Sequence, residues 1–456
     1  GLAYFNGEYF VQDIDKAINF FTQAAENNHS EAQFYLGSIF LAGKYVDIDA
    51  NKSIHYFMLA AQNNHPTAQY NIGYIYFEGK YVKQDIKKAI YYLKLSASQN
   101  FQQAQLRLGY IYSSAEYASY DIQEAIYYYS LAAEQNNSQA LFFLGCMYFT
   151  DEHNIYDINK AIYYYTLAAN LNHPESQFNL GLIYFEGKYV KQDISKAIYY
   201  YTLSANQNLP QAQHNLGFIY IDIIKDFSKA IYYFTLAADQ NYTKAQFVLG
   251  VIFSEGKLIE RDINKAIFYY QLAADKNDIE SLINLGLLYY QGFYIKRDIE
   301  KAINYYSLAA NLNHLQAQLT LGTIYSEGKL VKRDITKAIH YLTLAANQNS
   351  PEAQNLLGEI YEKGISITPD IYKAIHYFTL SANQNYNVAH FNLGVLYFMG
   401  ICVEQNINKG IKHLLMASDL SYSQCFLGGI YFEGKHVKQD IKKAINYFTL
   451  AANQNE

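Results

Sequence analysis

One glycine recurs along this chain at a nearly constant interval, usually directly after leucine. It stands at Gly37, Gly73, Gly109, Gly145, Gly181, Gly217, Gly250, Gly286, Gly322, Gly358, Gly394 and Gly428. Most steps are 36 residues; the step from Gly217 to Gly250 is 33 and that from Gly394 to Gly428 is 34. A second mark, Lys-Ala-Ile or a near variant, ends at Ile18, Ile54, Ile90, Ile126, Ile162, Ile198, Ile231, Ile267, Ile303, Ile339, Ile375, Ile411 and Ile445. A period of this size signals stacked supersecondary units, each unable to bury its apolar face alone. Length by itself would suggest about three domains. The unbroken period overrides that prior, because no linker, charge block or low-complexity stretch interrupts it. The expectation is one array over residues 1–456, with a partial first repeat at 1–6 and an irregular repeat at about 405–425.

The stretch from Phe178 to Asn208 shows why each unit reads as two helices. Ser176, Leu180, Gly181 and Tyr184 fall on one helical face. Proline opens this first helix at Pro66, Pro174, Pro210 and Pro351, where first-turn amides have no partner anyway. Gly187 is placed to end it in the left-handed region. A second helix follows from Asp193, an N-cap that accepts from a first-turn amide and suits the positive helix end. Its apolar stripe is Ile194, Ala197, Ile198, Tyr201 and Ala205, and Asn208 closes it. Gly181, Ala197 and Ala205 are small, which lets neighbouring helices approach closely. In two places the pattern slips. Three residues are missing between Ile221 and Phe227, so that turn is expected to be short. Gly410 replaces the helical alanine, at about 1 kcal/mol in propensity, and the following turn is two residues short.

Composition excludes several classes. The net charge is −6, and the lysines recur at repeat-locked exposed positions such as Lys188 and Lys196, so no basic stripe invites nucleic acid. No apolar run reaches membrane-spanning length. Cys146, Cys402 and Cys425 occupy three different repeat positions, which is neither a disulfide framework nor a metal spacing. An odd, sparse cysteine count suits a reducing, cytoplasmic setting. Histidines precede first helices (His29, His65, His173, His314) or replace a tyrosine on second helices (His55, His340, His376), and neither spacing gathers metal ligands. No nucleotide-binding, nucleophile-elbow or zinc-protease motif occurs. No catalytic residue, cofactor or metal is therefore assigned. The start at Gly1 and the last helix, which has no polar capping helix behind it, lead to the expectation of a longer native chain.

The unit Ser176, Leu180, Gly181, Tyr184, Gly187, Asp193, Lys196, Ala197, Tyr200, Tyr201, Ser204, Ala205 resembles the Sel1-like repeat, a relative of the tetratricopeptide repeat. The resemblance covers essentially the whole chain. It implies an all-α fold, a right-handed α/α superhelical solenoid of about 12–13 helix-pair repeats. It also implies an adaptor role without catalysis. Family members often carry Trp at the position of Tyr200, and this chain has no Trp.

Two surfaces are candidates for binding. By the tetratricopeptide analogy, the first helices line a concave groove, with groove positions three and two residues before the recurring glycine and one after it. These include Tyr70, Asn71, Tyr74, Phe178, Asn179, Asn215, Phe218, Phe247, Asn284, Phe391 and Asn392. The recurring asparagine offers both donor and acceptor, as a ladder for an extended peptide backbone requires. The bland reading is that these side chains are solvated or bond within the array. The second candidate is a row on the second helices, Tyr91, Tyr127, Tyr163, Tyr199 and Tyr232, continued by Phe268. It is either core, packed on a neighbouring second helix, or an exposed interaction surface.

The function expected is a non-enzymatic scaffold or adaptor for a protein or peptide, with no nucleic acid and no direct membrane insertion. Alternatives are the regulatory or targeting array of a larger protein, such as a kinase lying outside these residues, and an endoplasmic-reticulum quality-control adaptor.

Overall fold

The computed structural model describes residues 1–7, 9–117, 119–150, 155–364, 366–400 and 403–454; Cys402 lies outside them. Among the described residues there are twenty-six α-helices and no strand. The chain is all-α, built of paired helices. It divides into two units, Gly1–Leu236 and Ala237–Glu456. Within each, a first helix packs most extensively on the second helix of its own repeat and next on the second helix of the repeat before it.

The reference repeat shows how the chain encodes each element. Its first helix is Pro174–Glu186. Proline takes the first position, and His173 Nδ1 accepts from the Ser176 amide at 3.3 Å. The histidines ahead of other first helices act likewise: His29, His65 and His314 cap through Nδ1. That role needs a neutral acceptor nitrogen, and burial holds the His173 imidazole below its ordinary pKa. Gly187 ends the helix at φ 67°, in the left-handed region that glycine enters without a Cβ clash. The second helix, Ile194–Asn206, starts from Asp193, whose Oδ1 accepts from the Lys196 amide at 2.9 Å. Its Asp193 amide in turn donates to the Tyr184 carbonyl at 3.0 Å, which ties the loop to the first helix. Asn208, two residues past the helix, has φ 64°, and ten further asparagines repeat that conformation. Asp193→Ala is expected to destabilise by about 1 kcal/mol, whereas Asp193→Asn keeps most of the cap. Urea titration of both variants checks this; equal losses would contradict it.

Two seams hold the helices together. One, inside each repeat, is the close approach of the recurring glycine to a ring or a leucine of the second helix: a Cβ on Gly181 would lie 2.6 Å from Tyr201 Cδ1. The other is a glutamine ladder that sequence reading passed over. Gln177 is fully buried. Its Nε2 donates to the Ala169 carbonyl, eight residues back, and its Oε1 accepts from Gln207 Nε2, thirty residues on, at 2.7 Å. The same two bonds recur at Gln69, Gln105, Gln318 and Gln354. Each of these carboxamides thus closes the second helix of the preceding repeat and holds the end of its own repeat's second helix, with both its donor and its acceptor paired.

The two sequence slips have structural counterparts. Where three residues are missing, the first helix Pro210–Ile219 runs on into a π-helical turn, Tyr220–Ile224. Lys225 then takes φ 63° in place of glycine. In the irregular repeat the second helix is Ile407–Met416, ten residues long where others have twelve or thirteen.

Candidate functional site

The groove positions of the first helices are mostly half-buried, and Phe218 is exposed. Aromatic partners explain the burial. Phe178 lies against Tyr201, Phe247 against Tyr270, Tyr70 against Phe101, and Phe391 edge-on to Tyr422 with centroids 4.5 Å apart. Tyr74 stacks with Tyr70, and the Arg107 guanidinium lies 5.0 Å from its ring. The asparagines are not a free ladder throughout. Asn215 Nδ2 donates to the Tyr201 hydroxyl at 3.1 Å, and Asn392 Nδ2 donates to Asn355 Oδ1 at 3.0 Å. Asn179 faces the Tyr165 hydroxyl closely enough to act on it. Asn71 and Asn284 sit half-buried in the same register.

One cleft stands out on this face. It lies between the helices Pro174–Glu186 and Pro210–Ile219, with a volume of about 300 Å³. Leu182, Phe185 and Glu186 come from the first of these, and Asn215, Phe218 and Ile219 from the second. Tyr201, fully buried, contributes to its lining. Burial pushes the Tyr201 phenol up to about 12, so it is a neutral hydroxyl held by Asn215. The lining is apolar apart from that Asn–Tyr pair and the exposed Glu186 carboxylate. A space of this size takes one large side chain. Asn215 and Phe218 were among the sequence candidates; Leu182, Phe185 and Glu186 were not. The available signal was helical spacing, since Leu182 follows Gly181 as Phe218 follows Gly217, with 185 and 186 one turn on.

The tyrosine row is surface. Tyr91, Tyr127, Tyr163, Tyr199 and Tyr232 are 55–60% exposed, and Phe268 is 57% exposed. The core reading of the row is thereby set aside. Each row ring stands edge-on to the next residue, as Tyr199 does to Tyr200 at 5.1 Å. Tyr200 in turn stacks on Tyr184 of the first helix, over which Lys196 Nζ sits at 4.9 Å. Tyr163, Tyr164, Tyr148 and Lys160 repeat this arrangement, as do Tyr232, Tyr233, Tyr220 and Lys229. His55, His340 and His376 stand exposed in the same edge-on way. The second of each tyrosine pair is the one that packs, so the first is left facing solvent.

Among the described residues, no group of three or more His, Cys, Asp or Glu side chains could hold a metal ion. Cys146 and Cys425 are free thiols; Cys146 is half-buried and accepts from the Tyr165 hydroxyl at 3.4 Å. No helix among the described residues is long and apolar enough to cross a membrane.

Paired helices joined by glycine seams and a recurring carboxamide ladder define a helical-repeat solenoid, the class to which scaffold proteins commonly belong. The Sel1 repeat model matches thirteen consecutive segments, from residues 1–29 through 174–209 to 421–456. The chain therefore belongs to the Sel1 repeat family. Among solved structures it is similar to a protective antigen of uropathogenic Escherichia coli strains displaying an SLR fold. That match has 25% identity and a TM-score of 0.60, and covers 96% of this chain and 90% of that one. It is also similar to a Sel1 repeat protein from Oxalobacter formigenes, at 28% identity and a TM-score of 0.50, covering 65% of this chain and 87% of that one. No curated protein matches the sequence.

Proposed function

We propose that this chain is a non-enzymatic scaffold that binds a protein or peptide segment on the first-helix face of the unit Gly1–Leu236. The cleft of about 300 Å³ beside Tyr201 carries this reading. The lining is anchored by packing: Phe218 stands edge-on to Phe234 with centroids 5.1 Å apart, and Asn215 holds the Tyr201 hydroxyl. An inserted side chain would therefore meet a formed pocket rather than order one, which lowers the entropy of binding. The apolar lining with one carboxylate at Glu186 fits an anchor with an apolar stem and a positive end, such as arginine or lysine. A reducing, cytoplasmic setting belongs to the same reading, and the free thiols of Cys146 and Cys425 support it.

A random peptide library selected on the wild-type array tests the proposal. Phe218→Ala and Glu186→Gln, checked for unchanged circular dichroism and melting, are then compared by fluorescence anisotropy. Loss of a central anchor contact is expected to weaken binding by roughly 30-fold, as at interface hot spots. Peptides that bind these variants as well as wild type, but lose affinity for Tyr163→Ser/Tyr199→Ser, would move the site to the tyrosine row.

A further inference from the structure

The glutamine ladder breaks at one buried position in a chemically specific way. Where Gln177, Gln318 and Gln354 stand in their repeats, the helix Asn387–Met399 carries His390, which is 4% exposed. At Leu141 and Leu282 the same position is simply apolar and buried. His390 instead brings a titratable ring into the seam. The ladder partner belongs at the end of the second helix, where Gln207 is the C-cap; here the shortened helix closes on Ala417, which offers no side-chain donor. His390 turns to the second helix of its own repeat, Ile407–Met416. Its Nδ1 lies 3.0 Å from His413 Nδ1. His390 Nε2 is buried with no hydrogen-bond partner, and so is Gln424 Oε1 in the next first helix, Ser421–Glu433.

Two facing Nδ1 atoms at 3.0 Å form a hydrogen bond only if one carries a proton and the other does not. Conversion of both rings to imidazolium replaces that bond by two donors pointing at each other. It also leaves a charged His390 buried, with its Nε2–H unpaired. Among the described residues, no carboxylate acts on either ring in compensation. On the His413 helix, Lys409 and Lys412 act on the ring, and the Lys409 ammonium sits 3.8 Å from the centre of the Tyr397 ring that stacks on His413. On the preceding first helix, Glu359 is bonded to Asn355 and Lys363. Asp419, in the turn that follows, accepts from Asn387. His436 packs on Phe398, and Tyr422 on Phe391. The resolved causes hold both imidazoles down: burial for His390; and burial, His390 and the two lysines for His413, which is pushed down to about 4.

We propose that the His390–His413 pair is a proton-operated joint: neutral, it ties the helix Asn387–Met399 to Ile407–Met416, and double protonation releases the chain from Ile407 onward. The sign follows from linkage. The unfolded imidazole binds protons below about 6.5, and the folded one only near the depressed value. The joint's stability is therefore complete above about pH 6.5 and is lost as pH falls towards about 4. Short length adds to the effect, since Ile407–Met416 is a ten-residue helix and helices of this size rely on packing.

Hydrogen exchange by mass spectrometry, corrected for intrinsic rates, tests this on the full chain at pH 7.5 and pH 5.0. The helices Asn387–Met399 and Ile407–Met416 are read against Leu315–Glu327 and Ile335–Asn347 as an internal reference. In wild type, relative protection of the first pair is expected to fall by roughly 30-fold at pH 5.0, the linkage of one such imidazole. The double variant His390→Gln/His413→Tyr installs the residues found at Gln177 and Tyr200 and is expected to lose this dependence. The same pH profile in both proteins would overturn the proposal. Should the variant fail to fold, histidine NMR titration of wild type decides. Downshifted, mutually dependent titration of two rings supports the joint, and all rings titrating independently near the ordinary value overturns it.

Discussion

Gly181→Leu is expected to destabilise the array by about 3 kcal/mol, at the upper end of what overpacking does. Even the first atom of the new side chain has no room. A Cβ at this position would lie 2.6 Å from Tyr201 Cδ1 and 2.8 Å from Cε1. Tyr201 cannot swing away, because it is fully buried and its hydroxyl is held by Asn215. The leucine must therefore push the helices Pro174–Glu186 and Ile194–Asn206 apart, which opens the seam of Ala197 and Ala205. Stability in a stacked array is shared with the neighbours, so the loss extends into adjacent repeats. Urea denaturation followed by circular dichroism measures it; a midpoint equal to wild type would show that the seam is soft.

Gly410→Ala reverses the usual rule. Glycine in a helix interior costs about 1 kcal/mol relative to alanine, and sequence reading treats Gly410 as a defect. In the folded chain a Cβ there would stand 2.7 Å from the Phe398 amide nitrogen and 2.8 Å from its Cα. Those are backbone atoms of the paired first helix and cannot rotate out of the way. Alanine is expected to destabilise by about 2 kcal/mol net, propensity gain included. A stabilised Gly410→Ala protein would contradict the close approach. Gly410 and the His390–His413 pair lie in the same repeat, so the irregular helix Ile407–Met416 is held closely by Asn387–Met399, while it packs less extensively on Ser421–Glu433 than other second helices do on the helix that follows them.

Much of the architecture was legible because periodic marks report on local chemistry. Asp193, Gly187 and Asn208 each act within a few residues of themselves: a cap, a stop and a left-handed turn. The histidine before four of the first helices was visible as a position, but its capping through Nδ1 was not, since histidine is not a usual N-cap. The glutamine ladder went unread for a different reason. A polar residue at a helical core position carries no sign of its partner, and Gln177 finds one of its two partners thirty residues away.

The binding surfaces divide in the same manner. The tyrosine row was visible as a repeating residue, but alternating packed and exposed rings cannot be told apart from the Tyr199-Tyr200 pair alone. The first helix decided it, by stacking Tyr184 on Tyr200 and leaving Tyr199 in solvent. The asparagines of the groove register were equally visible, yet whether each amide is free depends on which hydroxyl or amide stands opposite. Asn215 meets Tyr201, and Asn392 meets Asn355.

The sequence alone determined the repeat, its helix boundaries, the small residues at its seams and the all-α class, because these follow from period, caps and side-chain volume. Only the tertiary structure decided which polar groups are paired, where a cleft opens beside Tyr201, and that His390 faces His413. Those outcomes depend on distances between residues that no local preference brings together, and in a close-packed interior a shift of under one ångström separates a hydrogen bond from a clash.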